Sequence, residues 1–313
     1  MAEKIKYDID YQFLDGKQII DYQPIPIIRA AWGTKKTGLQ NLLNEINNKC
    51  FRFPFEHVYV WGREALDALE SMGYVCTLVS DEPFTEGMDY TNYMHYKKLI
   101  ASSMAFEHFG EHLLLDWDCS LSLGHVNPDG SPSRVWKLDE NWIPTFPNKF
   151  WNLCRRNEVS MPMYVWWNRR KYFAEGEDID KASNLSDIRG KNPILTPMQE
   201  CNTQMRSALN AYGWNWRGMK MIPNACWMYT KGNINIGLEL LDIMFKKDIR
   251  ANVEEICMKI WADCSIDEYI EKYHPLCIYG KHGMYGNMSS EEMEFNNYIK
   301  EKLPDFDEIL FHY

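Results

Sequence analysis

The chain has 313 residues, 45% of them hydrophobic by a count that includes aromatics, and a formal net charge of -10 from 34 Lys and Arg against 44 Asp and Glu. That length supports one large α/β domain or two small ones with a sizeable core, and the acidic balance works against non-specific binding to a phosphate backbone. Nine cysteines stand singly, with no Cys-x-x-Cys pair, which argues against a zinc ribbon or redox motif and for a reducing compartment.

In chain order, Ile25 to Ala31 is a short apolar run broken by Pro24 and Pro26 and ending at Gly33, which predicts a first strand. Gly38 to Asn47 reads as a helix, His57 to Trp61 as a second strand and Arg63 to Met72 as a helix with Ala65, Leu66, Leu69 and Met72 on one face. Gly73 to Val79 follows as a third strand. Strands alternating with helices imply a mainly parallel sheet. Tyr93 to Phe109 is a long helical pattern ending at Gly110, and it leads into the apolar strand His112 to Leu115, which stops at Asp116-Trp117-Asp118.

Beyond that point the chain is rich in Pro, Trp and charge, with a strand expected at Met161 to Trp167 and a loop at Gly176 to Asn192. Arg155, Arg156, Arg169, Arg170 and Lys171 form a local basic stretch, read foremost as a solvated face. Helices are expected at Pro197 to Tyr212, Ile236 to Phe245 and Asn252 to Trp261, with a strand at Ala225 to Tyr229. His274, Gly280, His282, Gly283 and Gly286 suggest a loop before a charged terminal helix. The start of the chain lacks an apolar signal segment, and no stretch nears the ~20 apolar residues of a membrane span. The expected location is therefore the cytoplasm, of a bacterial or viral protein.

Two carboxylates in HLLLDWDCS lie two residues apart, just past a buried strand. Acidic groups at a strand's C-terminal end stand where open α/β sheets bind ligands, and hard oxygen donors suit Mg2+ or Mn2+. Such an ion bridges the phosphates of a nucleotide and offsets the charge that develops on a leaving diphosphate. An acidic turn that merely caps a helix is the bland alternative.

Four features together resemble the GT-A glycosyltransferases, nucleotide-sugar enzymes built on a Rossmann-like sheet. The segment IPIIRAAWG resembles their first strand, DWD their Asp-x-Asp, PNACWMYTKGN the strand bordering the sugar, and HPLCIYGKHG their C-terminal His and Gly-Lys segment. The resemblance implies a single domain over residues 1–313. A mainly parallel α/β sheet flanked by helices would supply a nucleotide-sugar half over 20–125, and a smaller acceptor-side half would span 126–313. It places Ala31, Trp32 and Gly33 near the base, Lys35 near the phosphates and Asn224 and Ala225 beside the sugar. Asp116 and Asp118 become metal ligands, Lys281 a diphosphate contact, and His274 or His282 a third ligand. His274 stands six residues before Gly280 and seven before Lys281, a departure from the family's shorter spacing that leaves the choice of histidine open.

The same resemblance gives Glu254 and Glu255 the place of an acidic pair facing the acceptor. Adjacent helical residues point about 100° apart, so one of them, Glu255 by preference, is expected to enter the site, as general base in an inverting enzyme or to orient the sugar in a retaining one. The expected activity is transfer of a sugar from a nucleotide-diphosphate donor, with Mn2+ or Mg2+, to a glycan, protein, small molecule or modified nucleobase. Trp166, Trp167, Trp214 and Trp216 lie in close pairs flanked by Arg169, Arg170 and Arg217; they suit either a core or a stacking platform, and the glycines around GWNWRG suggest a loop.

Three rivals share parts of this pattern. A haloacid-dehalogenase-like phosphatase would use Asp116 as nucleophile and Asp118 as acid/base. A nucleotidyltransferase would use the basic run Gly33 to Gly38. A protein of the same fold without turnover would bind nucleotide or glycan only.

Overall fold

The computed structural model describes residues 25–32, 43, 56–81, 90–117, 119–121, 154–161, 163–165, 211–217, 219–223, 227–247, 249, 253–273, 290–303 and 310–312. Within them, Ile27–Trp32 forms β1, Glu56–Trp61 β2, Val75–Ser80 β3 and His112–Leu115 β4. β1 pairs in parallel with β2 on one side and with β4 on the other, and β2 pairs in parallel with β3. Two strands from the second half complete the sheet antiparallel: Trp227–Thr230 (β10) against β4, and Val159–Ser160 (β6) against β10. The sheet order is therefore β3-β2-β1-β4-β10-β6, a mixed, mostly parallel arrangement in which both halves of the chain share one layer.

β2 and β4 are buried at every position, as sheets covered on both faces demand of near-continuous apolar runs. The helix α1 (Arg63–Ser71) covers one face with Ala65, Leu66 and Leu69. These meet Ala31, Val58, Val60 and Trp117 in a smaller core. The helix α2 (Tyr90–Phe109) packs on β1 and β4 and gathers α3 (Ile236–Lys247) and α4 (Val253–Ala262) around it in the larger core. Gly110, at φ 76, ends α2 and reverses the chain into β4, a left-handed conformation that only glycine adopts without strain.

Outside the central sheet, Met163–Val165 (β7), Trp214–Trp216 (β8) and Met219–Pro223 (β9) form an antiparallel sheet in the order β7-β9-β8. Cys119–Leu121 (β5) pairs with Leu310–His312 (β11). Two further helices, α5 (Ile266–Tyr273) and α6 (Ser290–Lys302), lie near the three-stranded sheet. Among the described residues no helix is long and apolar enough to cross a membrane.

One sequence expectation needs correction here. GWNWRG is not a loop: Trp214–Trp216 is strand β8, and both indoles are buried. Trp214 Nε1 donates to the Cys264 carbonyl at 2.8 Å and its ring lies 4.8 Å from Tyr269, while Trp216 lies 5.0 Å from Phe295. They are core residues because each ring finds an aromatic neighbour, and Trp214 a carbonyl for its N–H. The strand expected at Met161 to Trp167 contains Met163–Val165, and Val159–Ser160, just before it, is a separate strand. Val159–Ser160 joins the central sheet and Met163–Val165 joins the three-stranded one. Pro162, which has no N–H to give a ladder, falls between them.

Candidate functional site

The order of strands creates a switch point. β2 flanks β1 on one side of the sheet and β4 on the other, the strand order at which open α/β sheets bind ligands in a crevice past the strands' C-terminal ends. Asp116 is the first residue past β4 at that crevice.

Asp116 and Trp117 continue the alternation of a strand, pointing to opposite faces. Trp117 turns into the smaller core, where its Nε1 donates to the Ala30 carbonyl at 2.8 Å. Asp116 meets Lys98 of α2, whose Nζ stands 2.6 Å from Oδ1. Counted from Gly110 at ~1.5 Å per helical residue and ~3.3 Å per strand residue, Lys98 and Asp116 reach nearly the same height, ~18 to 20 Å. The length of α2 thus decides which of its side chains meets the end of β4.

The same ammonium lies 3.2 Å from Oε1 of Glu254, in the first turn of α4. Side-chain exposure is 12% for Lys98, 18% for Asp116 and 1% for Glu254. Burial by itself would push the Lys98 ammonium down, but Asp116, Glu254 and Glu255 outweigh it and hold it well above the usual lysine range. Glu255 is buried on the same turn. The neighbouring Lys97, also buried, lies 4.8 Å over the Trp61 ring at the end of β2, and burial brings it down to about 7.

Beneath this cluster, Arg29 of β1 is fully buried. Its Nη1 donates to the Asp116 carbonyl at 2.6 Å, and its Nε and Nη2 reach Glu56 Oε1 at 2.9 and 2.7 Å. Its guanidinium lies 4.9 Å from the centre of the Trp117 ring. Asp116 is thus fixed twice, by its backbone through Arg29 and by its side chain through Lys98.

Of the expected site residues, the structure brings Asp116 and Glu254 together through Lys98, with Glu255 beside them. Ala31 packs its side chain into the smaller core, and Trp32, half-buried at the end of β1, packs against the larger one. Gly33, Lys35, Asp118, Asn224, Ala225, His274, Lys281 and His282 lie outside the described residues, as do the helix expected at Gly38 to Asn47, apart from position 43, and the loop at Gly176 to Asn192. Among the described residues, no group of three His, Cys, Asp or Glu side chains is close enough to hold a metal.

Sequence reasoning missed Lys98 and Arg29. For Arg29 the signal is in the sequence: a positive charge inside IPIIRAAW has no solvent to face when the strand is central, so a buried anion must meet it. Arg155, read as part of a solvated face, instead grips Glu111 with two nitrogens at 2.7 and 3.1 Å. Tyr229 donates to the same carboxylate at 2.7 Å, and Lys231 to the Arg155 carbonyl. Glu111 precedes β4, so this cluster ties β4 to β10 at the opposite end of the sheet from Asp116.

Compared with models of known protein families and with curated proteins, the chain matches none.

Proposed function

We propose that the chain is a metal-dependent glycosyltransferase that moves a sugar from a nucleotide-diphosphate donor to an acceptor. The observation that carries the reading is the Asp116 carboxylate, which leaves β4 at the switch point of a mostly parallel sheet and is joined through Lys98 to Glu254 on a separate helix. Open α/β sheets bind nucleotides at such a point. Carboxylates arriving from two elements suit a reaction with a donor side and an acceptor side.

Asp116 offers only hard oxygen, which fits Mg2+ or Mn2+. In this reading Asp118 and either His274 or His282 would be the remaining ligands, and a bound ion would supply positive charge to the leaving diphosphate. Ala31, Trp32 and Gly33 at the end of β1 border the base, Lys35 and Lys281 serve the phosphates, and Asn224 and Ala225 border the sugar. Glu254 is committed to the Lys98 ammonium. Glu255 therefore keeps the role of accepting the acceptor's proton.

Titration calorimetry of a panel of nucleotide diphosphates and nucleotide sugars, with and without Mn2+, tests the reading against Asp116→Asn and Asp118→Ala. Metal-dependent binding of one nucleotide, lost in both variants, is the expected result. No nucleotide binding under any condition overturns it.

One observation favours a second reading. An ammonium 2.6 Å from Asp116 would also keep a nucleophilic carboxylate ionised, as a phosphatase of the haloacid-dehalogenase kind needs. Hydrolysis of an aryl phosphate, abolished by Asp116→Asn in a chain that binds no nucleotide sugar, would favour that enzyme.

A further inference from the structure

We propose that Lys98 is a tethered cation that fills the position between Asp116 and Glu254, so that these two carboxylates do not share a divalent ion. The inference rests on the transferase reading and makes Lys98 a positioning residue of that site.

One nitrogen lies 2.6 Å from Asp116 Oδ1 and 3.2 Å from Glu254 Oε1, so the two oxygens fall within the reach of a single cation. Two hard, buried oxygens that close together, with Glu255 on the next residue, are what a divalent ion seeks. The Lys98 ammonium already stands against both.

Nor can the carboxylates drift apart to escape such an ion. The backbone of Asp116 is held by Arg29 at 2.6 Å, and Glu254 belongs to the first turn of a helix packed on α2. Lys98 itself sits inside the 20-residue helix α2, so its stem starts from a rigid base. In the transferase reading, a metal drawn between Asp116 and Glu254 would engage a carboxylate of the acceptor-side pair. Lys98 prevents that misplacement by being there first.

The discriminating variant is Lys98→Met, which keeps the volume and removes the charge. Its expected behaviour is a split. Mn2+ binding measured by calorimetry in the absence of nucleotide tightens about tenfold or more, because an anionic pair has lost its resident cation. At the same time kcat for sugar transfer falls about tenfold or more, with KM for the nucleotide sugar little changed. Adding Glu254→Gln to Lys98→Met removes the gain in Mn2+ affinity, and Lys98→Arg restores the native affinity.

A residue with only a structural role would weaken metal binding, nucleotide binding and turnover together. Unchanged or weaker Mn2+ binding by folded Lys98→Met overturns the inference, even if metal-dependent nucleotide binding by the native chain upholds the transferase reading. Conversely, a native chain that binds no nucleotide sugar sinks that reading, while the Mn2+ comparison still reports on Lys98. If Lys98→Met fails to fold in chelator, the expected result is recovery of its far-ultraviolet signal when Mn2+ is added. Absence of recovery overturns the inference too.

Discussion

Arg29 and Glu56 form a buried ion pair between neighbouring parallel strands, with side-chain exposures of 0% and 3%. Glu56 Oε1 accepts both Nε and Nη2 of the guanidinium, whose remaining nitrogen holds the Asp116 carbonyl. Taking two charges out of water is costly, and the pair is tolerated because Arg29 spends its donors on fixed acceptors. Arg29 therefore carries a structural debt and a functional position at once.

Arg29→Met should destabilise the fold by ~3 to 5 kcal/mol, since it leaves the Glu56 charge buried without its guanidinium. The double variant Arg29→Met with Glu56→Met should recover most of that loss in urea unfolding, because the buried charges are then gone together. Metal-dependent nucleotide binding should stay impaired in the double variant, because the Asp116 carbonyl is still released. Full recovery of both properties would show that Arg29 has no part in positioning Asp116.

Gly237 lies where α3 packs tightly on α2. A Cβ there would stand 2.6 Å from Ser103 N, 2.7 Å from Leu99 O and 3.0 Å from Ser102 Cβ. In an exposed helix, Gly→Ala gains up to ~1 kcal/mol from backbone entropy. Here the two nearest atoms are helix backbone, which cannot turn aside, so the steric term wins. Gly237→Ala should lower stability by ~1 to 3 kcal/mol in thermal or urea unfolding. A more stable Gly237→Ala would mean that the two helices separate at no cost.

The sequence showed the central strands well because their burial leaves an unmistakable mark. His112 to Leu115 was bounded as the structure has it, and β1, β2, α1, α2 and α4 differ from expectation by a few residues at their ends. Helix α5 was overlooked although its start signal is written in the chain. Ser265 Oγ accepts from the Glu268 backbone N–H at 3.2 Å, and Glu268 Oε2 accepts from the Ser265 N–H at 2.8 Å, a reciprocal capping box. Lys98 was beyond sequence reasoning for a different reason. On a 20-residue helix with apolar and polar residues mixed around it, nothing local says which lysine will face the end of a strand that begins after the helix has ended. Only the register of α2 against β4 decides it.

Trp214 offers a direct test of the core assignment. Trp214→Phe keeps most of the packing against Tyr269 but leaves the Cys264 carbonyl without its 2.8 Å donor. A buried acceptor stripped of its partner costs ~1 to 3 kcal/mol. The expected outcome is a stability loss of that size with glycan and nucleotide binding unchanged at saturating fold. Lost ligand binding in a fully folded Trp214→Phe would return the ring to a platform role.

The pH dependence of stability should be governed in part by His112, buried in β4. Its Nδ1 lies 3.1 Å from the Gly110 carbonyl, which can only accept, so Nδ1 carries the proton. In the neutral ring Nε2 is then the acceptor, and the Ser102 hydroxyl 2.9 Å away donates to it. Burial lowers His112 to about 4, against the opposing pull of the Gly110 carbonyl and Glu111. The sign follows from which state binds the proton first. Unfolded, the imidazole takes a proton near 6.5; folded, it resists until about 4. Stability is therefore intact above about 6.5 and is lost as pH falls through that window, at ~1.4 kcal/mol per pH unit for one such group. His57, lowered to about 4 by burial and by His108, adds a parallel loss. His112→Asn should be less stable than the native chain at pH 7.5, yet should lose less on acidification to pH 5 in urea titrations. An unaltered slope in the variant would show that His112 is protonated in the native fold, which would also reverse its hydrogen bond with Ser102.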